Sequence, residues 1–215
     1  TISSFYEYLL RHDYCQSNPV TELDRFKLPM RVPDYLSLTE IRQLRLACVH
    51  NPYLLMIVEF LLSTGVRISE MCSLDKRHVN FEKRQATVTG KGDKQRIVIF
   101  SKTCRDLLEQ YLATRADTNP ALFVLGNKRI VDYKVYYQVR KLGKNYLGRN
   151  ISPHLFRHTF ASHMLSSGLS LVEVQSLLGH AQITTTLIYT HLTPAIKTHY
   201  DRAMELLESE PMEGQ

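Results

Sequence analysis

The stretch Pro52 to Ser63, PYLLMIVEFLLS, is apolar on nearly every side of a helix, and Gly65 follows it as a stop. A helix with no polar face cannot lie on a surface, so the other elements of the chain must pack around it. Directly after the stop, TGVRISEMCSL brings Arg67 and Glu70 to the edge of that buried helix. Taken alone, such an arginine reads as a surface charge paired with a carboxylate. What else the chain brings to the same place decides whether it does more.

On the N-terminal side, Ser37 and Glu40 have capping-box spacing and open a helix that carries Leu38, Ile41, Leu44, Leu46 and Ala47 as far as about Cys48. Beyond the central helix, residues 78–82 (HVNFE), 85–89 (QATVT) and 96–100 (RIVIF) have strand character, with GKGDKQ as the turn between the last two. That pattern predicts a small antiparallel sheet. Its turn carries Lys91 and Lys94, Arg96 lies just beyond, and Gly90 and Gly92 let the backbone approach a ligand closely. A basic hairpin tip serves solubility as readily as binding. Residues 101–115 read as an amphipathic helix and 121–125 (ALFVL) as a short strand. The helix from Asp132 to Leu147 mixes Lys134, Arg140, Lys141 and Lys144 with four tyrosines. Interleaved cations and aromatics suit a DNA groove; a tyrosine-lined core face beneath a basic solvent face would look the same.

Ser152 to His191 gathers the most chemistry. Ser152 can cap a helix, Pro153 suits its first turn and Gly168 can end it, which puts His154, Arg157 and His158 on one face near the helix N-terminus. The positive end of the helix dipole, a guanidinium that binds two oxygens at once and an imidazole able to give or take a proton then point at one place. A phosphate fits it. A second helix, opened by a Ser170 and Glu173 capping box and closed by Gly179, leaves His180 just past a helix end. Tyr189 follows in a short segment that Pro194 closes, and a last amphipathic helix, Ile196 to Leu207, precedes a polar tail.

Lysine plus arginine exceed aspartate plus glutamate by 27 to 21, an excess that suits a polyanionic partner and is also compatible with a plain solvated surface. Cys15, Cys48, Cys72 and Cys104 include no CxxC pair, so neither a zinc site nor a disulfide framework is indicated. HLFRH lacks the glutamate of a zinc-protease HExxH, and His158 and His163 read as structural. With no apolar run of membrane length and no signal-peptide pattern, no membrane partner is expected and the location expected is cytoplasmic. The first residues, ISSFYEYLLRHDY, look like the tail of a helix needing something else to pack on, as in a piece of a longer protein.

Taken together, Arg67, Lys91, His154, Arg157, His180 and Tyr189 resemble the catalytic set of the tyrosine recombinase family, the phage-integrase and Xer-like site-specific DNA recombinases. The matching pieces are TGVRISE, GKGDKQR, HLFRH, LGH and IYTH, in the family's order, from about Leu36 to Leu192. The resemblance implies an α+β fold, mainly helical with a small antiparallel sheet. It also implies a division into a remnant of a core-binding domain at 1–20, a linker at 21–36, the catalytic domain at 37–195, and a C-terminal helix and tail at 196–215. The implied partners are a double-stranded DNA recombination site and further copies of the chain, as a tetramer on two sites with the C-terminal helix docked on a neighbour; an isolated fragment can be monomeric.

Attack on a phosphodiester needs a nucleophile, neutralised non-bridging oxygens and a proton for the leaving alkoxide. Tyr189 is the nucleophile candidate, Arg67 and Arg157 the clamp, His154 a proton-transfer group and His180 a hydrogen-bond donor to phosphate. Glu70 would orient an arginine. Lys91 takes the role of its family counterpart, protonating the departing 5′ oxygen. The resemblance implies a 3′-phosphotyrosyl intermediate that conserves bond energy, with neither metal nor ATP as cofactor. Lys94, Arg96, Lys134, Arg140, Lys141 and Lys144 are the expected DNA contacts. Two other readings remain at this point: a non-enzymatic helix-turn-helix module, with Gly179 in the turn, and a type IB topoisomerase or telomere resolvase using the same site.

Overall fold

The computed structural model describes residues 2–22, 34–90, 92–179 and 194–208. Lys91, His180, Tyr189, most of the expected linker and the last residues of the tail lie outside the described residues. The chain divides into two compact units, Thr1–Pro33 and Asp34–Gln215. In the first, helix α1 (Ile2–Arg11) buries none of its residues. A short 3-10 turn follows at Pro19–Glu22, and Asn18 ties back to α1 by donating from Nδ2 to the carbonyl and hydroxyl of Ser3, each at 3.4 Å.

The second unit is built around α3 (Pro52–Thr64), buried continuously from Met56 to Thr64. Asn51 caps it by accepting from the Leu54 N–H, and Gly65 ends it in the left-handed conformation, φ 58°. Even a methyl group at Gly65 would stand 2.7 Å from the Phe160 ring and 2.9 Å from Leu178, so packing as well as backbone conformation requires glycine here. Helix α2 (Leu38–Cys48) carries the expected Ser37–Glu40 capping box and buries Ile41, Leu44 and Cys48. After α3 the chain turns into α4 (Ile68–Ser73), a helix not anticipated from the pattern, with Arg67 at its N-cap.

Strands β1 (Val79–Asn80), β2 (Gln85–Thr89) and β3 (Gln95–Ile99) form the antiparallel sheet in that order. The first is shorter than expected because the backbone turns at Phe81–Arg84, where the Arg84 N–H donates to the Phe81 carbonyl at 3.2 Å. Helix α5 (Lys102–Ala113) packs on α3. The strand expected at 121–125 is reduced to β4 (Val124–Leu125), paired with an unforeseen β5 (Lys128–Arg129). Three further helices follow: α6 (Asp132–Tyr146) packs on α2, α7 (Pro153–Ser166) returns over α3, and α8 (Leu171–Leu178) lies against α7 and β3. Ser152 sits at the N-cap of α7 but its side chain makes no capping hydrogen bond, contrary to the expectation from its position; the Ser170–Glu173 box of α8 is formed.

Helix α9 (Pro194–Glu208) lies against α7 of its own unit. Tyr200 is fully buried and donates its hydroxyl to the Ser63 carbonyl at 2.8 Å. Arg84 grips Asp201 with two hydrogen bonds of 2.8 and 2.7 Å, and Arg45, paired with buried Glu59, donates to the Leu207 carbonyl at 2.9 Å. The C-terminal helix is therefore held in cis.

Candidate active site

Three elements meet beside the C-terminal end of α3. The first is the Gly65–Arg67 turn into α4. Arg67 is about half exposed, at 48% of its side chain, and its Nη1 donates to Glu70 Oε1 at 2.9 Å. Glu70 also accepts the Arg67 backbone N–H at 2.8 Å, so the carboxylate fixes both ends of the residue.

The second element is α7. One turn in, Arg157 does not share the exposed face of His154 and His158 but turns inward, 6% exposed. Its Nη1 donates to the Gly65 carbonyl at 2.7 Å and its Nη2 to the Leu178 carbonyl at 2.8 Å. These belong to the C-terminal ends of α3 and α8, where helix carbonyls lack intrahelical partners and the dipole is negative, a favourable seat for a cation. Burial, followed by the charges of Arg67 and Arg96, brings the Arg157 guanidinium down to about 10, which leaves it protonated at neutral pH. Among the described residues these two carbonyls are the hydrogen-bond partners of Arg157, which uses two of its five N–H groups.

His154 and His158 remain at the surface with their rings edge to face, 4.5 Å apart. Burial, then the neighbouring His158, Arg157 and Arg67, holds His154 below the ordinary imidazole value, so it is neutral near pH 7 and able to take a proton. His163, on the same helix, faces the Leu36 carbonyl at 3.3 Å and fastens the chain where it enters the unit.

The third element is the hairpin, and it corrects the sequence reading. Arg96 was expected among the DNA contacts at a basic tip; it is 7% exposed and bonded through both terminal nitrogens to Glu70, at 2.5 and 2.8 Å. A guanidinium buried against a carboxylate has no face left for a phosphate of the duplex. The register could have found it. Val88 stands opposite Arg96 and Ala86 opposite Val98, so the buried face of QATVT places Arg96 inward with Val98. Lys94, by contrast, is exposed.

On α6, Val135, Val139, Leu142 and Gly143 form the buried face. Tyr133, Tyr136, Tyr137 and Tyr146 are exposed alongside Lys134, Arg140, Lys141 and Lys144, which excludes the tyrosine-lined core face. Lys134 lies over the Tyr133 ring at 5.3 Å, and Arg140 donates weakly to Asn150 Oδ1 at 3.3 Å. No group of three or more His, Cys, Asp or Glu side chains among the described residues is placed to hold a metal ion, and no described helix is long and apolar enough to cross a membrane.

The sequence profile of the phage integrase family matches residues 34–195, most of the second unit. The chain belongs to the phage integrase family. Within it, the chain is a tyrosine-type site-specific recombinase catalytic domain. It is 37% identical over 207 residues to tyrosine recombinase XerC of Pseudomonas aeruginosa strain LESB58, covering 92% of this chain and 68% of that protein. Among solved structures, XerA recombinase is 33% identical with a TM-score of 0.66, covering 87% of this chain and 68% of that one. XerH site-specific recombinase bound to a palindromic difH substrate, in a post-cleavage complex, shares the fold at 23% identity and a TM-score of 0.63, covering 86% of this chain and 56% of that one. Membership sets aside the helix-turn-helix module reading. An integrase-family catalytic domain is the setting in which buried Arg157, half-exposed Arg67 and neutral His154 are to be understood.

Proposed function

We propose that the chain cuts one strand of a double-stranded DNA recombination site by attack of Tyr189 on the scissile phosphorus. The Tyr189 oxygen forms a bond to phosphorus as the bond to the 5′ oxygen breaks, giving a 3′-phosphotyrosyl enzyme and a free 5′ hydroxyl. The phenol proton passes to a base, for which neutral His154 is suited, and Lys91 protonates the departing 5′ oxygen. Arg67 and Arg157 take the non-bridging oxygens and His180 adds a hydrogen bond. A hydroxyl from a partner strand then reverses the step and exchanges strands. Phosphodiester bond energy is conserved in the tyrosyl ester, so the cycle requires no ATP, and the two guanidiniums supply the charge neutralisation.

The observation that carries this reading is the pairing of the two arginines. One is tethered by Glu70 with half its surface open, and the other is seated on two helix ends, which among the described residues take two of its five N–H groups. The exposed cations Lys94, Lys134, Arg140, Lys141 and Lys144 suit the flanking phosphates of the duplex. Several copies of the chain would assemble on two sites as a tetramer, whereas the free chain holds α9 on itself and is suited to be monomeric.

The test is covalent capture on a nicked suicide duplex whose site has been selected by the wild-type chain from randomised sequences. Wild type should become attached at the 3′ side and Tyr189→Phe should not. An adduct with the phenylalanine variant would remove Tyr189 from its role.

A further inference from the structure

Glu70 is 2% exposed and Arg96 7% exposed, and their ion pair lies where three parts of the site join. The two oxygens of Glu70 receive four donors: both terminal nitrogens of Arg96, the backbone N–H of Arg67 and the Arg67 Nη1. The half-exposed guanidinium of Arg67 is thus held from behind. The stem of Arg96 lies flat against Gly179: a Cβ at that position would run into Arg96 Cδ and stand 2.6 Å from its Nε. With φ at 66°, Gly179 is the residue that lets α8 end against this side chain, and the next residue is His180. On the other side, a Cβ at Gly90 would stand 3.3 Å from Glu70 Oε1, and the next residue is Lys91. The ion pair therefore touches the backbone immediately before two of the expected site residues. Arg96 Nε is buried without a hydrogen-bond partner among the described residues. Packing against Gly179 at that cost points to a demand for shape and charge at this position beyond stability alone.

We propose that Arg96 is a positioning residue for strand cleavage: it fixes the Glu70 carboxylate and balances its charge, so that Glu70 orients Arg67 without cancelling the positive charge that Arg67 and Arg157 offer a phosphate. Three guanidiniums around one carboxylate leave two positive charges at the site; removing Arg96 leaves one. Among the described residues, the charged groups facing Glu70 are Arg67 at the start of α4, Arg96 on β3 and, through space, Arg157 on α7. Burial acts to raise the Glu70 carboxyl, and the hydrogen bonds and charge of Arg96, then the backbone and side-chain hydrogen bonds of Arg67, overcome it and hold the group below the ordinary carboxylate range. Without Arg96, burial opposes Arg67 alone and the carboxyl rises. Glu70 then takes up a proton as the pH falls and releases Arg67. The inference rests on the roles given above to Arg67 and Tyr189.

The experiment compares the full chain as wild type, Arg96→Met, Arg96→Lys, Arg96→Met/Glu70→Gln and Tyr189→Phe on the same selected suicide duplex. Single-turnover adduct formation is followed against pH, and the Glu70 carboxyl is titrated by carbon-13 NMR without DNA. Arg96→Met should slow adduct formation by at least about tenfold at neutral pH while non-covalent retention of the duplex changes by less than about twofold. It should also gain an acid limb additional to the decline that wild type shows as His154 takes up a proton, coincident with the Glu70 titration and abolished in the Arg96→Met/Glu70→Gln pair. Arg96→Lys, which keeps the charge but not the paired donors, should fall between. Should Arg96→Met fail to fold, Arg96→Lys carries the same test through a smaller upward shift of Glu70 and a smaller loss of rate. Wild-type cleavage by the variants, a Glu70 titration unchanged in them, or a uniform loss of rate at every pH would overturn the proposal. An adduct with Tyr189→Phe would instead fault the nucleophile assignment, and the Glu70 titration would still be decided separately.

Discussion

Tyr200→Phe removes one oxygen from a fully buried site, and its cost can be worked out from where that oxygen points. The phenol donates to the Ser63 carbonyl at 2.8 Å. In an uninterrupted helix that carbonyl would accept the N–H of Arg67, but the chain has left α3 by then and the Arg67 N–H is given to Glu70 at 2.8 Å. The hydroxyl therefore replaces a missing helical bond, and Phe leaves a buried carbonyl unpaired. Such a group costs about 1–3 kcal/mol, and with no change in ring volume there is little cavity penalty to add. Taking about 2 kcal/mol, the midpoint of thermal unfolding should fall by roughly 4–8 °C for a unit of this size. Urea unfolding should show the same loss at unchanged m, since the surface exposed on unfolding is nearly the same. A pH arm sharpens the test. Burial raises the Tyr200 phenol well above its ordinary value, so the native state keeps its proton while the unfolded chain loses it above about pH 10. That contribution to stability is constant below about pH 10 and is lost as pH rises beyond it. Tyr200→Phe should lose less stability over that alkaline range than wild type, though not become flat, because Tyr53 and Tyr111 are raised by burial as well. A loss smaller than about 0.5 kcal/mol at neutral pH, within the range of ordinary surface substitutions, would refute the account of Ser63 as an orphaned carbonyl and of α9 as its partner in cis.

Two further predictions concern the site. Because His154 is held below the ordinary imidazole value and must be neutral to take a proton, adduct formation should be level through neutrality and decline only as pH falls through that lowered value. His154→Gln should remove the decline and slow the reaction by about a hundredfold, and a decline that survives the substitution would assign it elsewhere. Alanine substitutions at Lys134, Lys141, Lys144 and Arg140 should each reduce the slope of log affinity against log salt by about 0.9. The measurement is duplex retention by the Tyr189→Phe chain over a salt series; unchanged slopes would take α6 off the duplex.

Local pattern was enough for the elements whose causes are local. PYLLMIVEFLLS could only be a central helix, the Ser37–Glu40 and Ser170–Glu173 boxes opened their helices where the spacing put them, and Gly65 and Gly179 ended theirs. The same holds for family membership, because five short motifs in order need no knowledge of distance. Where pairing is settled across the chain, the sequence was silent or misleading. HVNFE and ALFVL have strand composition, yet the first keeps a ladder of two residues and the second a ladder of two with a single bridge from Ala121 to Asp75, because turns at Phe81–Arg84 and Gly126–Asn127 limit the ladders. Ser152 has the composition of a cap and makes no capping bond.

The sequence by itself determined which residue types the site contains, the apolar helix that carries them and the family they belong to. Only the tertiary structure decided what each arginine does. Arg67, Arg96 and Arg157 are chemically identical, and composition counts all three as positive surface. Yet one is half open, one is spent on a carboxylate 26 residues away, and one is seated on the ends of two helices. A guanidinium has five donors and can bond carboxylate, carbonyl or phosphate alike in geometry, with the charged acceptors binding it more strongly. Its role is set by which acceptors the fold leaves unpaired beside it and by how much water the surrounding elements exclude, and both are properties of packing.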